Sequence, residues 1–99
     1  MIFPSMMKFL LGKLVITPEA LKASTVDDLC RAIDRHVCGN WGEALEAVRL
    51  ANESALLSGG RLLSVHRFRA GLELWVMTTP DRTLTTIFLT ADYIPGGAA

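Results

Sequence analysis

Two imidazoles, His36 and His66, are the side chains of this sequence that titrate near neutral pH, so general acid–base chemistry would fall to them. His66 alternates with apolar residues in RLLSVHRF, a strand pattern that puts Ser64 on its face, with Thr86 on a neighbouring strand. His36 falls in the last turn of a helical pattern, where a cation suits the negative end of the helix dipole. Each histidine thus has a structural reading beside the catalytic one: His36 as a helix cap, His66 as a satisfied strand residue. Metal binding is not expected. Two histidines lack a third ligand, and Cys30 and Cys38 form neither a C-x-x-C pair nor a finger spacing. The chain has no G-x-S-x-G elbow, no phosphate-cradling glycine loop and no H-E-x-x-H, and no cofactor is expected.

Arginines supply the candidate binding groups. Arg61, Arg67, Arg69 and Arg82 lie on the C-terminal strands and turns, and a guanidinium reads carboxylate or phosphate in a bidentate way. Arg67 and Arg69 flank a hairpin tip at Ala70-Gly71, where side chains meet solvent. A second candidate surface is the glycine-flanked turn with Asn40 and Trp41, since tryptophan is favoured at binding hot spots. Trp41 also reads more simply as a core plug. Asn52, a polar residue on an apolar helical stripe, is expected to bond to backbone, with the turn at Asn40 as one target.

The elements that position these residues follow from periodicity. Lys13 to Thr17 reads as a strand. Thr17-Pro18 then caps and starts a short helix, Glu19 to Ala23. Thr25 and Asp28 form a capping box for a helix from Val26 to Val37, with Leu29, Ile33 and Val37 as its buried stripe and Gly39 as its stop. A further helix is expected from Glu43 to Leu57, with Glu46-Arg49 and Arg49-Glu53 as ion pairs. From Gly60 onward the period changes to two. Arg61 to Phe68, Leu72 to Thr79 and Leu84 to Leu89 read as strands, and their short connections require an antiparallel meander with the middle segment central. The expected fold class is α+β: an N-terminal strand and short helix, two helices, then a three-stranded antiparallel meander.

Length and charge bound the function. The 99 residues make one domain, and ten basic side chains balance ten acidic ones. That balance excludes a strongly basic nucleic-acid module and an acidic nucleic-acid mimic. The charge is still polarised. The first 24 residues are two units positive, the helical middle is three units negative, and the strands are one unit positive. The opening MIFPSMMKFLL lacks a basic leader and a cleavage site and is too short to span a bilayer, so it is expected as an arm (1–11) on a cytoplasmic protein with reduced thiols and no membrane contact. Met6 and Met7 offer later starts, and residues 95–99 carry no structural signal.

The stretches LGKLVITPEAL (11–21), RHVCGNWG (35–42), Asn52 to Leu56 followed by GRLLS, and WVMTTPDRTLTTIFLTADY (75–93) resemble a family of small proteins of bacterial mobile elements. The motifs are H-x-x-G-[DN]-W-G and W-x-x-T-x-x-D-R-x-x-T-T, and the resemblance covers more than four fifths of the chain. It implies the same order of elements and a context in phages, plasmids or integrative elements, but no settled activity. More loosely, helices followed by an antiparallel sheet look like the small ribonucleases of the barnase, RelE and colicin group, although layout does not fix function.

Two functions follow as expectations. The first is a non-enzymatic accessory protein that binds one host or element protein stoichiometrically, in the manner of an anti-CRISPR inhibitor. Its contacts would be Arg67, Arg69, Arg82, Trp41 and Asn40, and the Arg edge leaves room for a nucleic-acid contact. The alternative is a metal-independent RNA-cleaving toxin-like enzyme that uses His36 or His66 with Arg61 and Thr85 or Thr86.

Overall fold

The computed structural model describes residues 6–69 and 71–90; the start of the expected arm (1–5), the tip residue Ala70 and the tail (95–99) lie outside them. The chain is α+β, in the order β1 (Lys13–Ile16), α1 (Pro18–Ala23), α2 (Val26–Val37), α3 (Glu46–Ser58), β2 (Leu62–Arg69), β3 (Leu72–Thr78) and β4 (Leu84–Leu89).

Strands β2, β3 and β4 form the antiparallel meander that their short turns require, with β3 in the middle. The meander is only part of the sheet. β1 pairs parallel to β4 at the far edge, which gives a four-stranded mixed sheet in the order β1-β4-β3-β2. A parallel partner needs a long crossover, and here it comprises all three helices and the other two strands. Local turn chemistry carries no trace of it. The close approach of the chain entering β1 to the chain entering β4 is visible at Gly12, which adopts φ +67 where a Cβ would strike the Thr83 carbonyl.

Helices α1 and α2 begin where their caps dictate. The Thr17 hydroxyl accepts from the Ala20 N–H at 3.2 Å. Thr25 and Asp28 cap reciprocally at 3.1 and 2.9 Å. Leu29 and Ala32 of α2 join Ala20 of α1 against Leu72, Leu74, Val76 and Ile87, forming the core on one sheet face. Asp28 also receives Arg69 in a bidentate pair at 3.2 and 2.8 Å, which, with the Thr25 backbone bond, holds its carboxyl at about 2.

The second helix of the helical middle starts at Glu46, not Glu43. The preceding segment is instead held by β2: Glu43 N–H donates to the Val65 carbonyl at 2.7 Å, and Val65 N–H to the Trp41 carbonyl at 3.2 Å. Gly42, at φ +64, permits this contact, since a Cβ there would meet the Val65 carbonyl and the His66 ring. The expected ion pairs of Arg49 with Glu46 and Glu53 do not form. Glu53 turns to the Trp41 indole N–H, which donates to it at 2.7 Å. Asn52 binds backbone as expected, but at β2 and not at the turn. Its Nδ2 donates to the Leu63 carbonyl at 2.7 Å and its Oδ1 accepts from the Leu63 N–H at 3.1 Å. One side chain thus stands in for a neighbouring strand at the β2 edge.

Asn52→Ala leaves both Leu63 groups without that partner at a half-buried position. It is expected to lower unfolding free energy by roughly 2–3 kcal/mol in urea titration, with circular dichroism of the folded state unchanged. A change under about 0.5 kcal/mol would show that the edge does not need this amide.

Candidate functional site

Strand register decides which polar side chains meet. Ser64 opposes Val76, His66 opposes Leu74, Leu62 opposes Thr78, and Thr78 opposes Thr85. Ser64, His66, Thr78 and Thr85 therefore share the face that α2 covers, and His36 reaches them from the last turn of that helix. All five side chains are 0% exposed. Thr86 lies on the opposite face, so it is Thr85 that joins the histidines. Arg61 is exposed outside this cluster.

The five groups form one continuous relay. Thr85 Oγ1 donates to the Leu11 carbonyl at 2.7 Å. It lies 2.7 Å from Thr78 Oγ1, which lies 2.9 Å from His36 Nε2. His36 Nδ1 is 2.6 Å from Ser64 Oγ, and Ser64 Oγ is 3.0 Å from His66 Nε2. A carbonyl only accepts, and that fixes every proton in turn. The Thr85 proton is committed to Leu11, so Thr78 donates to Thr85. Thr78 then accepts from His36 Nε2–H. Neutral His36 accepts at Nδ1 from the Ser64 hydroxyl, and Ser64 accepts from His66 Nε2–H. The relay ends at His66 Nδ1, which has no hydrogen-bond partner among the described residues and faces Gly42.

Electrostatics agree with two neutral rings. Burial pushes His36 down to about 3, and the charges of His66 and Arg82 push the same way. Burial pushes His66 down to about 4, helped by Arg35 and opposed by Glu43. Aromatic rings close the site. Phe9 meets His36 edge-on at 5.2 Å and stacks on Trp41 at 6.5 Å, while Phe68 lies 6.4 Å from His66. The cluster has the donors and acceptors of an acid–base site, but solvent does not reach it.

The binding candidates are spread over three places. Arg67 pairs with Glu73 at 2.7 Å and Arg69 with Asp28, each half-exposed at the β2 end. Arg82 is internal to the fold. Its guanidinium donates to the carbonyls of Gly60 at 2.6 Å, Ala55 at 2.9 Å, Thr79 at 3.0 Å and Pro80 at 3.3 Å, and it caps the α3 end from a residue at φ 60. Asn40 and Trp41 lie at a groove of about 770 Å³ between their turn and α3, lined also by Gly39, Ala44, Glu46, Arg49, Leu50 and Glu53. Trp41 is itself 4% exposed, held by Glu53.

Sequence reasoning did not single out Thr78 or Leu11. Thr78 had a signal, since it alternates with Leu72, Leu74 and Val76. A carbonyl at the end of an irregular segment has none. Among the described residues, no group of three or more His, Cys, Asp or Glu is placed to hold a metal ion. No helix among them is long and apolar enough to cross a membrane. No family model, curated protein or solved structure matches the chain.

The relay carries a pH signature. Folded-state values of about 3 and 4 against 6.5 mean that the unfolded chain binds more protons below neutrality. Stability is then complete above about pH 6.5 and falls as pH drops toward 4, by up to about 1.4 kcal/mol per pH unit for each histidine. Asp28, whose folded value is about 2, loses its contribution only below 3.8, outside that window. Urea unfolding between pH 7 and 4.5 measures the slope. In Ser64→Ala both histidines lose a partner, at a cost of roughly 2–4 kcal/mol at pH 7.

Proposed function

We propose that this chain acts by stoichiometric binding of a protein partner, with the groove between Gly39–Ala44 and α3 as the contact surface. The observation that carries the reading is the contrast between the two polar regions of the fold. The titratable histidines are sealed and neutral, whereas the groove is open and mixed in character, with Glu46, Arg49 and Leu50 on its walls. Leu50 is 63% exposed there, and Arg49 has no ion-pair partner within 4.0 Å among the described residues. An uncommitted guanidinium is a residue type enriched at interfaces, and the exposed leucine beside it adds apolar area that a partner would cover. The resemblance to mobile-element proteins adds the class of partner: a host or element protein, with anti-defence inhibition as the corresponding role.

The test compares variants in nuclease-treated host lysate, with cross-linking to identify the partner and purified components to measure affinity. Leu50→Asp and Arg49→Glu are each expected to weaken binding by tenfold or more, while Arg67→Ala leaves it within a few-fold. The reverse pattern would move the contact to the β2–β3 hairpin. Loss of capture on nuclease treatment would replace the protein partner with a nucleic acid, whose affinity falls steeply with salt.

A further inference from the structure

The two edges of the sheet are treated differently. At the β2 edge, Leu63 is met by Asn52, Val65 by Trp41 and Glu43, and the Arg67 N–H by the Glu43 carboxylate at 2.8 Å. At the β1 edge the ladder itself shows which groups are spent. Lys13 N–H donates to the Thr83 carbonyl at 2.9 Å and Thr17 N–H to the Ile87 carbonyl at 3.0 Å. In a parallel pair alternate residues bond to the neighbour, so Lys13, Val15 and Thr17 face β4. Leu14 and Ile16 therefore present their N–H and C=O groups outward, and no other described residue bonds them. Leu14 and Val15 are 39% and 37% exposed, and Leu10 and Leu21, just before and after β1, are exposed too. Natural proteins blunt such an edge with shortness, charge, proline or a cover; β1 is short and is flanked by Lys13 and Pro18, but its Leu14-Val15-Ile16 run carries neither charge nor proline and has no cover among the described residues.

We propose that β1 pairs with β1 of a second copy of this chain, antiparallel about a two-fold axis through Val15. The strand is self-complementary in that register and needs no other sequence. Leu14 stands opposite the partner's Ile16 and Ile16 opposite the partner's Leu14, so all four outward backbone groups are used on each side. Val15 meets the partner's Val15 as the close, non-hydrogen-bonded pair. Lys13 faces the partner's Thr17, so no like charges stand directly opposed. The two sheets become one of eight strands, with an isologous interface. Five paired residues on each side make a small contact, so the dimer belongs to the weak class.

Analytical ultracentrifugation of the full chain tests this, from about 5 to 500 µM to bracket that class. The wild type is expected to show a concentration-dependent monomer–dimer equilibrium. Val15→Lys sets two ammonium groups across the axis and is expected to weaken dimerisation at least tenfold, with the folded monomer retained because the position is exposed. A cross-link gives a second readout if that variant folds poorly. In a Cys30→Ser, Cys38→Ser background, Val15→Cys is expected to oxidise to a covalent dimer, while Leu14→Cys, whose opposite residue is Ile16, is not. A wild type that stays monomeric throughout, a dimer indifferent to Val15→Lys, or equal cross-linking at positions 14 and 15 would overturn the proposal.

Discussion

The acceptor on which this structure depends is the main-chain carbonyl of Leu11. It has no proton to give, so it fixes the direction of every hydrogen bond from Thr85 to His66, across three strands and a helix. Five polar side chains are buried beside an apolar core, which is tolerated only when each finds a partner. The relay supplies those partners and ties elements that are distant in sequence: the segment before β1, the end of α2, and β2, β3 and β4. Leu11 is thus more than the entrance to β1. Phe9, from the same segment, packs on His36 and Trp41, and Arg82 lies 5.7 Å over its ring.

The same economy explains the region outside the relay. Arg82 and Asn52 are polar side chains used to complete backbone that secondary structure leaves open, one at the end of α3 and the other at the β2 edge. Gly42 brings the Trp41 turn against β2 and against the one unpaired nitrogen of His66. Most of the conspicuous polar residues therefore serve the fold. What remains uncommitted lies outside it: the groove beside α3 and the β1 edge. This distribution is why we propose binding rather than proton transfer.

Much of the frame was legible in the sequence. The capping box at Thr25, the stop at Gly39, the change of period at Gly60 and the short turns around Leu72 to Thr79 gave the helices, the meander and its central strand, because each is a local signal. The parallel pairing of β1 with β4 was not legible, since sequence separation hides it. The side of α3 that meets Trp41 was misread for a related reason. Glu53 looked like a helical ion-pair partner of Arg49, whereas an indole N–H from the preceding turn competes better for it. His36 shows the limit most clearly. Periodicity places it in the last turn, but the dipole reading of a cationic cap fails: the ring is buried and neutral, and only register reveals two hydroxyls waiting for both of its nitrogens. The same register joins Thr85 to the relay and leaves Thr86 on the other face.

The central claim is a neutral, one-directional relay beginning at Leu11, and nitrogen-15 NMR of the imidazoles tests it most directly. Both His36 and His66 are expected as the Nε2–H tautomer, uncharged at pH 7 and still uncharged at pH 5.5. A ring in the Nδ1–H form, or either histidine titrating near 6.5, would contradict the account.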